Sequence, residues 1–490
     1  MRRVRQLAEQ TPAYRERFID LLRGVAIIFV VLGHWSATVI EYDADGRLTG
    51  YSALPHITWA YPLTWLFQVM PIFFLVGGFA NAASLNRHPG DSIGWLQQRS
   101  ARLVRPTVVL MVTLAGAGFA ARLLGVAPDT IRQVVWFVSI PLWFLTAYLA
   151  VVLFAPVMYA LHRRFGLAVP LVLAGLVALG DLARLAGSGW LGRGSFLFGW
   201  LAVHQLGFVW WDARTRPANG PGSNRGRDAP RLSRTRVAVS LLLVGLGALL
   251  ALTLLGPYPI SMINVPGERL HNVSPPTLAL LALATAQFGL ILLLRDTADR
   301  WLHRPGPWRS VIAVNAVILT VFLWHVSAAL LVAAGLHLLG RLVTPPVGSA
   351  DWWLWRLPWL ALSALVLAVL VAVLAPYEAR STRRPSAPPR RLPGWAAGVL
   401  RRPGPRAVLT VAGFGAVVVG LLLNSTTPPR GDYLFGLPMA SLLTYLLGAG
   451  LLRVLYAVPE RARVRSGSGS PGSPRRGGDP ATGWSPPSRG

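Results

Sequence analysis

The chain has 490 residues, 53% of them hydrophobic and only 13% charged, about half the ~25% charged share of soluble domains. With 47 basic residues, all arginine, against 19 acidic ones, the formal net charge is +28. The arginines lie between long apolar runs, which excludes a nucleic-acid footprint and predicts a helix bundle in lipid, and the lack of cysteine excludes disulfides, zinc–thiolate sites and thiol catalysis.

The chain opens on a basic segment, 1–17, read as cytoplasmic. The apolar run behind it continues to Ile40, carries Arg23 and His34, and shows no small-x-small cleavage site. It is therefore expected to stay as a signal anchor. A crossing helix needs about 20 mostly apolar residues. Such runs are predicted near 18–40, 60–84, 104–124, 139–160, 167–187, 194–211, 237–256, 276–294, 311–339, 357–376, 406–423 and 433–456. The fold class is thus all-α, a polytopic transmembrane bundle of about 12 spans. The sixth run is the weakest, with His204 and Gln205 inside it.

Arginine falls on alternate connections. The second holds Arg87, Arg99, Arg102 and Arg105, the fourth Arg163 and Arg164, the sixth the run from Arg214 to Arg236, the eighth Arg295 to Arg309, and the tenth Arg380 to Arg402. The odd connections are poor in it: the first has Glu41, Asp43 and Asp45 against Arg47. By the positive-inside rule the even connections and both termini are predicted to be cytoplasmic in the cell membrane. Residues 18–378 form the main membrane domain, 379–405 a basic linker, 406–456 two further helices and 457–490 a tail. Segments 214–234 and 465–490, rich in Arg, Pro, Gly and Ser, are expected to be disordered.

Ionisable residues inside spans are costly in hydrocarbon and are functional candidates by default. Asp20, Arg23 and His34 share the first span. Arg23 and His34 are 11 positions apart, about three turns, so they share nearly one face and lie roughly 16 Å apart at 1.5 Å per residue. The plainer alternative is that Arg23 snorkels to the interface beside Asp20 while His34 closes the outer end. In the ninth span Asn315 and His325 lie on neighbouring faces, His325 serving either helix packing or a second active-site role. Asp181 and Arg184 are expected to neutralise each other at i,i+3. His204 and Gln205 are read as packing residues, and the tryptophans, Trp352, Trp353, Trp355 and Trp359 among them, as interfacial belts.

Several of these elements together resemble the acyltransferase-3 family of membrane acyltransferases. Arg23 followed by ten residues and His34, led by Ile19-Asp20-Leu21-Leu22-Arg23-Gly24, resembles its opening. Pro71-Ile72-Phe73-Phe74 through Gly77-Gly78-Phe79 is similar to its Phe-Phe-x-x-Ser-Gly-Phe element, with Gly77 in place of the serine. Arg99-Ser100-Ala101-Arg102 resembles its Arg-x-x-Arg motif, Trp143-Phe144-Leu145 its Trp-Tyr-Leu element, and Leu323-Trp324-His325 its Leu-Trp-His. The resemblance covers about residues 14–378, ten spans; the two C-terminal spans match nothing in it.

The resemblance implies an acyl-CoA donor, acetyl-CoA being the expected one, and a hydroxyl acceptor on a glycan or lipid, with membrane lipids around it and neither nucleic acid nor metal involved. His34 would be the general base, since a neutral imidazole suits proton abstraction near pH 7. Arg23 would act beside it, on a phosphate or along the pantetheine channel. Arg99, Arg102 and Arg105, every third residue, would form one stripe binding donor phosphates, as guanidinium does bidentately. Asp20, Phe73, Phe74, Trp143 and His325 complete the expected site. Glu41 and Glu268 are the outer carboxylates that could orient His34. The competing readings are a transporter or flippase lined by Arg23 and His34, and an assembly protein, which leaves both residues unexplained.

Overall fold

The computed structural model describes residues 9–10, 15–44, 46, 48–215, 231–381, 394–427 and 433–458. Helix α1 (Arg17–Ala37) leads into an antiparallel hairpin, β1 (Thr38–Tyr42) with β2 (Leu48–Ser52). Short helical turns from Leu54 to Phe67 precede α2 (Met70–Asn86). There follow α3 (Ser92–Leu123), α4 (Pro128–Ser139), α5 (Leu142–Phe165), α6 (Ala168–Leu185), α7 (Ser195–Thr215) and α8 (Arg231–Leu250), which ends in one π turn over Ala251–Leu255. A loop leads to α9 (Leu278–Leu302), α10 (Pro305–Leu338) and α11 (Ala350–Ser381). The last elements are α12 (Gly394–Arg401), α13 (Pro403–Thr426), a two-residue hairpin of β3 (Tyr433–Leu434) and β4 (Leu437–Pro438), and α14 (Met439–Ala457).

Among the described residues, 11 helices are long and apolar enough to cross a membrane. The remaining predicted span is α7, a helix of 21 residues, about 31 Å long at the α-helical rise and so matched to a hydrocarbon core of about 30 Å. Its hydropathy is weak because it lies inside the bundle. His204, Gln205 and Asp212 are buried in it, with Trp200 fully so. Leu124, Leu171, Val244 and Leu447 are instead among the large apolar side chains pointing outward. Apolar outside and polar groups satisfied inside is the arrangement that lipid imposes.

The buried polar groups tie helices together, as small and polar residues do in membrane bundles. Asn81 on α2 donates to His204 Nε2 on α7 at 3.0 Å, and Gln205 donates to the Met158 carbonyl at 3.1 Å, which is the packing role expected of that pair. Their backbones can approach because a Cβ on Gly78 would stand only 2.0 Å from the His204 carbonyl oxygen, so the crossing of α2 and α7 admits glycine alone there. The expected Asp181–Arg184 pair forms, and Asp181 also accepts from the Tyr258 hydroxyl at 3.0 Å and the Leu278 amide at 2.9 Å. That carboxylate fastens the 256–277 loop to α6 and to the start of α9. Burial, then Asp181 beside it, pushes the Tyr258 hydroxyl's pKa upward, so it stays a donor at every physiological pH.

One end of the bundle gathers the arginines. There Arg17 donates to the Leu302 carbonyl at 2.9 Å and Arg214 pairs with Glu16 at 2.7 Å. At the other end Tyr42 Oη lies 2.8 Å from His337 Nδ1, and Arg356 donates to the Thr38 carbonyl at 2.8 Å.

Several boundaries differ from the sequence reading. The predicted linker 379–405 contains the end of α11, all of α12 and the start of α13; its stretch 382–393 lies outside the described residues. Of the predicted disordered segments, 216–230 and 465–490 lie outside them too, while 214–215 and 231–234 are helical. The tryptophan belt is only partial: Trp353 is exposed, whereas Trp352 is buried beneath the Arg356 guanidinium and Trp359 donates to the Trp35 carbonyl at 3.0 Å.

Candidate active site

Helices α1 and α10 lie side by side, joined at two levels. Near the arginine-rich end, Asn315 donates to the Asp20 carbonyl at 2.8 Å. Further along, Trp35 Nε1 donates to the His325 carbonyl at 2.8 Å. Between these ties the rings of His34 and His325 meet, with centroids 5.0 Å apart and His325 Nε2 3.4 Å from His34 Nδ1.

The acceptors around the two rings fix their protons. His34 Nδ1 is 2.9 Å from the Val30 carbonyl, and His325 Nδ1 is 2.7 Å from the Phe322 carbonyl. A carbonyl only accepts, so each Nδ1 bears hydrogen in the neutral ring and each Nε2 a lone pair. His325 Nε2 then accepts the second, longer contact from His34 Nδ1–H. His34 Nε2 is left with the basic lone pair. His325 is fully buried while His34 is half-buried. Neither carboxylate suggested for this place occupies it. Glu41 accepts from Tyr51 at 2.9 Å, and Glu268 is exposed on the 256–277 loop. The orienting groups are a backbone carbonyl and a second imidazole.

Toward the arginine-rich end lies a cavity of about 930 Å³, near the upper limit of the ~300–1,000 Å³ usual for ligand pockets. Asp20, Arg23, Arg99, Arg102 and Phe73 line it. Asp20 is shared by Arg15 at 2.7 Å and Arg23 at 3.4 Å. Arg99 lies over the Trp95 ring at 5.2 Å and has Arg23, Arg87 and Arg102 as like-charged neighbours. A cavity with so many guanidinium groups and so few carboxylates attracts anions.

Arg105 departs from the expected stripe. Its guanidinium packs over the Tyr456 ring at 5.1 Å and is not part of the cavity lining. A three-residue step turns a helix about 60° short of a full revolution, so Arg105 is about 120° round from Arg99. Phe74 also faces away, fully buried and stacked on Trp200 at 4.4 Å, and Trp143, also outside the lining, meets that indole at 6.4 Å. His34 and His325 are outside the lining as well. Ile27 lines the cavity, and His34 is seven residues further on, about 10 Å along the helix. The connection is aromatic: Phe73, Phe144 and Phe322 line the cavity, Phe144 touches both of the others, and Phe322 also touches the His325 ring.

Gln97, Gln98 and Tyr148 are cavity residues that the sequence reading passed over, as are Arg406 and Tyr456 from the C-terminal helices, while Asn315, noted there only as a polar residue of its span, lines the cavity too. Tyr148 answers the question of Gly77. A Cβ there would stand 2.9 Å from Tyr148 Cε2 and 3.3 Å from its hydroxyl. The hydroxyl at this point of the wall thus comes from α5, and glycine makes room for it.

A family model described as an acyltransferase domain, that of the acyltransferase-3 family, matches residues 16–375. The chain belongs to this family. It is a multi-pass membrane acyltransferase that transfers groups other than amino-acyl groups. No curated protein and no solved structure matches it. The matched region runs from the start of α1 through most of α11 and ends before α12, α13 and α14.

Proposed function

We propose that this member of the acyltransferase-3 family moves an acyl group, acetyl in the first instance, from acyl-CoA to a hydroxyl of a glycan, glycolipid or similar acceptor, with His34 as general base. The observation that carries the reading is the histidine pair. An imidazole whose Nδ1–H is engaged by a carbonyl and a second imidazole presents its Nε2 lone pair in one orientation, the arrangement a positioned base requires.

In the step, the acceptor hydroxyl gives its proton to His34 Nε2 while its oxygen bonds to the thioester carbonyl carbon. The tetrahedral intermediate collapses with cleavage of the C–S bond, and the proton on His34 passes to the departing CoA thiolate. The products are an ester and free CoA. While His34 carries the extra proton, its Nδ1–H still donates to the Val30 carbonyl and to His325, so the ring keeps its orientation through the step. His325 is in this reading a positioning residue. Arg99 and Arg102, in the cavity wall, hold donor phosphates, and Arg23 in the same wall holds a further phosphate or the pantetheine arm. Phe73, Phe144 and Phe322 part to admit the thioester to the histidines. With the arginine-rich end cytoplasmic, the donor enters from the cytoplasm and the acceptor approaches from the opposite end.

The test is transfer by purified protein in lipid nanodiscs, supplied with [14C]acetyl-CoA and a panel of glycans and glycolipids. Label appearing in an ester, with release of free CoA, is the expected result. Movement of an intact solute without any cleavage of acetyl-CoA would make the protein a transporter instead.

A further inference from the structure

The helices beyond the matched domain are built into the cavity wall. Arg406 on α13 is only 5% exposed. It donates to the carbonyls of Val458 at 2.7 Å, Leu455 at 3.0 Å and Leu400 at 3.3 Å, and to Gln97 Oε1 at 2.7 Å. Gln97, two residues before Arg99 on α3, in turn donates to Thr410 Oγ1 at 2.8 Å. One guanidinium thus gathers the end of α14, the end of α12 and the phosphate-facing stretch of α3. Lower on the same contact, the Tyr445 hydroxyl donates to the Val104 carbonyl at 2.9 Å.

This clamp sets Tyr456, the penultimate residue of α14, in the cavity lining with the Arg105 guanidinium 5.1 Å from its ring. Arg453, exposed one turn earlier, is near enough to Arg105 for their charges to repel. An aromatic face at the edge of a cationic cavity suits a ligand that is flat at one end and anionic beside it. An acyl-CoA has that form, with an adenine next to its phosphates. Arg105, off the stripe of Arg99 and Arg102, belongs to this second patch.

We propose that Tyr456, backed by Arg105 and held by Arg406, is the subsite for the nucleotide end of the donor, so that the C-terminal helices serve donor recognition. This rests on the reading of the cavity as an acyl-CoA site. Base–aromatic stacking supports about a 5- to 150-fold change in affinity.

The experiment measures binding of acetyl-CoA and of S-acetyl-pantetheine, which lacks the nucleotide, to the full-length protein and its variants. Tyr456→Leu, which keeps bulk but removes the flat face, is expected to weaken acetyl-CoA within that range and leave S-acetyl-pantetheine unchanged. Tyr456→Phe is expected to bind both as the unaltered protein does. Unchanged acetyl-CoA affinity in Tyr456→Leu, with binding still lost on Arg99→Ala/Arg102→Ala, would overturn the subsite and leave the donor reading standing. Equal loss of both ligands in Tyr456→Leu would show a wall residue and overturn it too. No binding of acetyl-CoA by the unaltered protein would remove the donor reading and the subsite together.

Discussion

His34 stood out in the sequence because a titratable ring inside a span is expensive unless it is used. His325 stood out on the same ground, but not as its partner. His325 lies 291 residues away, and no local spacing could bring the two rings together. The same holds for Tyr148, whose place against Gly77 depends on how α2 meets α5. Arg105 is different: its turn away from Arg99 follows from helical geometry, and the three-residue repeat was read too generously. The positioning role of His325 is open to a direct check. His325→Leu removes the acceptor for His34 Nδ1–H and is expected to lower kcat while KM for acetyl-CoA holds. His325→Gln can still offer an oxygen at that place and is expected to recover part of the loss. A change confined to KM, or no difference between the two variants, would mean that His325 serves packing only.

Among the elements, the long apolar helices were legible because length and hydropathy decide them. Helix α7 was legible only weakly, since its polar residues bond to neighbours that a sequence does not display. Helix α4 was missed. With 12 residues it is too short to register as a span, although Ile131, Val135 and Val138 turn one apolar face inward. The cations that α3 contributes to the cavity wall are Arg99 and Arg102. Each charge-assisted contact to a phosphate is worth about 1.5–3 kcal/mol. Arg99→Ala/Arg102→Ala is therefore expected to weaken acetyl-CoA binding by at least ~10-fold, with a smaller effect on the rate of transfer from bound donor. Unaltered affinity in a titration of the double variant would reduce the pair to a topological signal.

On the scale of the molecule, the alternation of arginine-rich and arginine-poor connections agrees with a bundle whose basic connections gather at one end. The side of the membrane on which that end lies is a matter for experiment. Reporter fusions after residues 90, 225 and 305 are expected to report the cytoplasm, and those after 45, 130 and 265 the outside. One inverted fusion would remove a span from the topology. The proposed site lies in the same frame: arginines line the cavity, Tyr456 of α14 lines it as well, and the histidine pair lies beyond Phe322. Sequence motifs marked the arginines and the histidines, but the cavity beside them is made of side chains from helices far apart in the chain. The measurement closest to the central claim is single-turnover acetyl transfer by His34→Gln, made alongside its affinity for acetyl-CoA. Glutamine keeps the size and some hydrogen bonding of the ring but not its basicity. The expected result is donor binding as in the unaltered protein and transfer slowed by about 10²–10⁴-fold; near-normal transfer by that variant would contradict the assignment of His34 as the base.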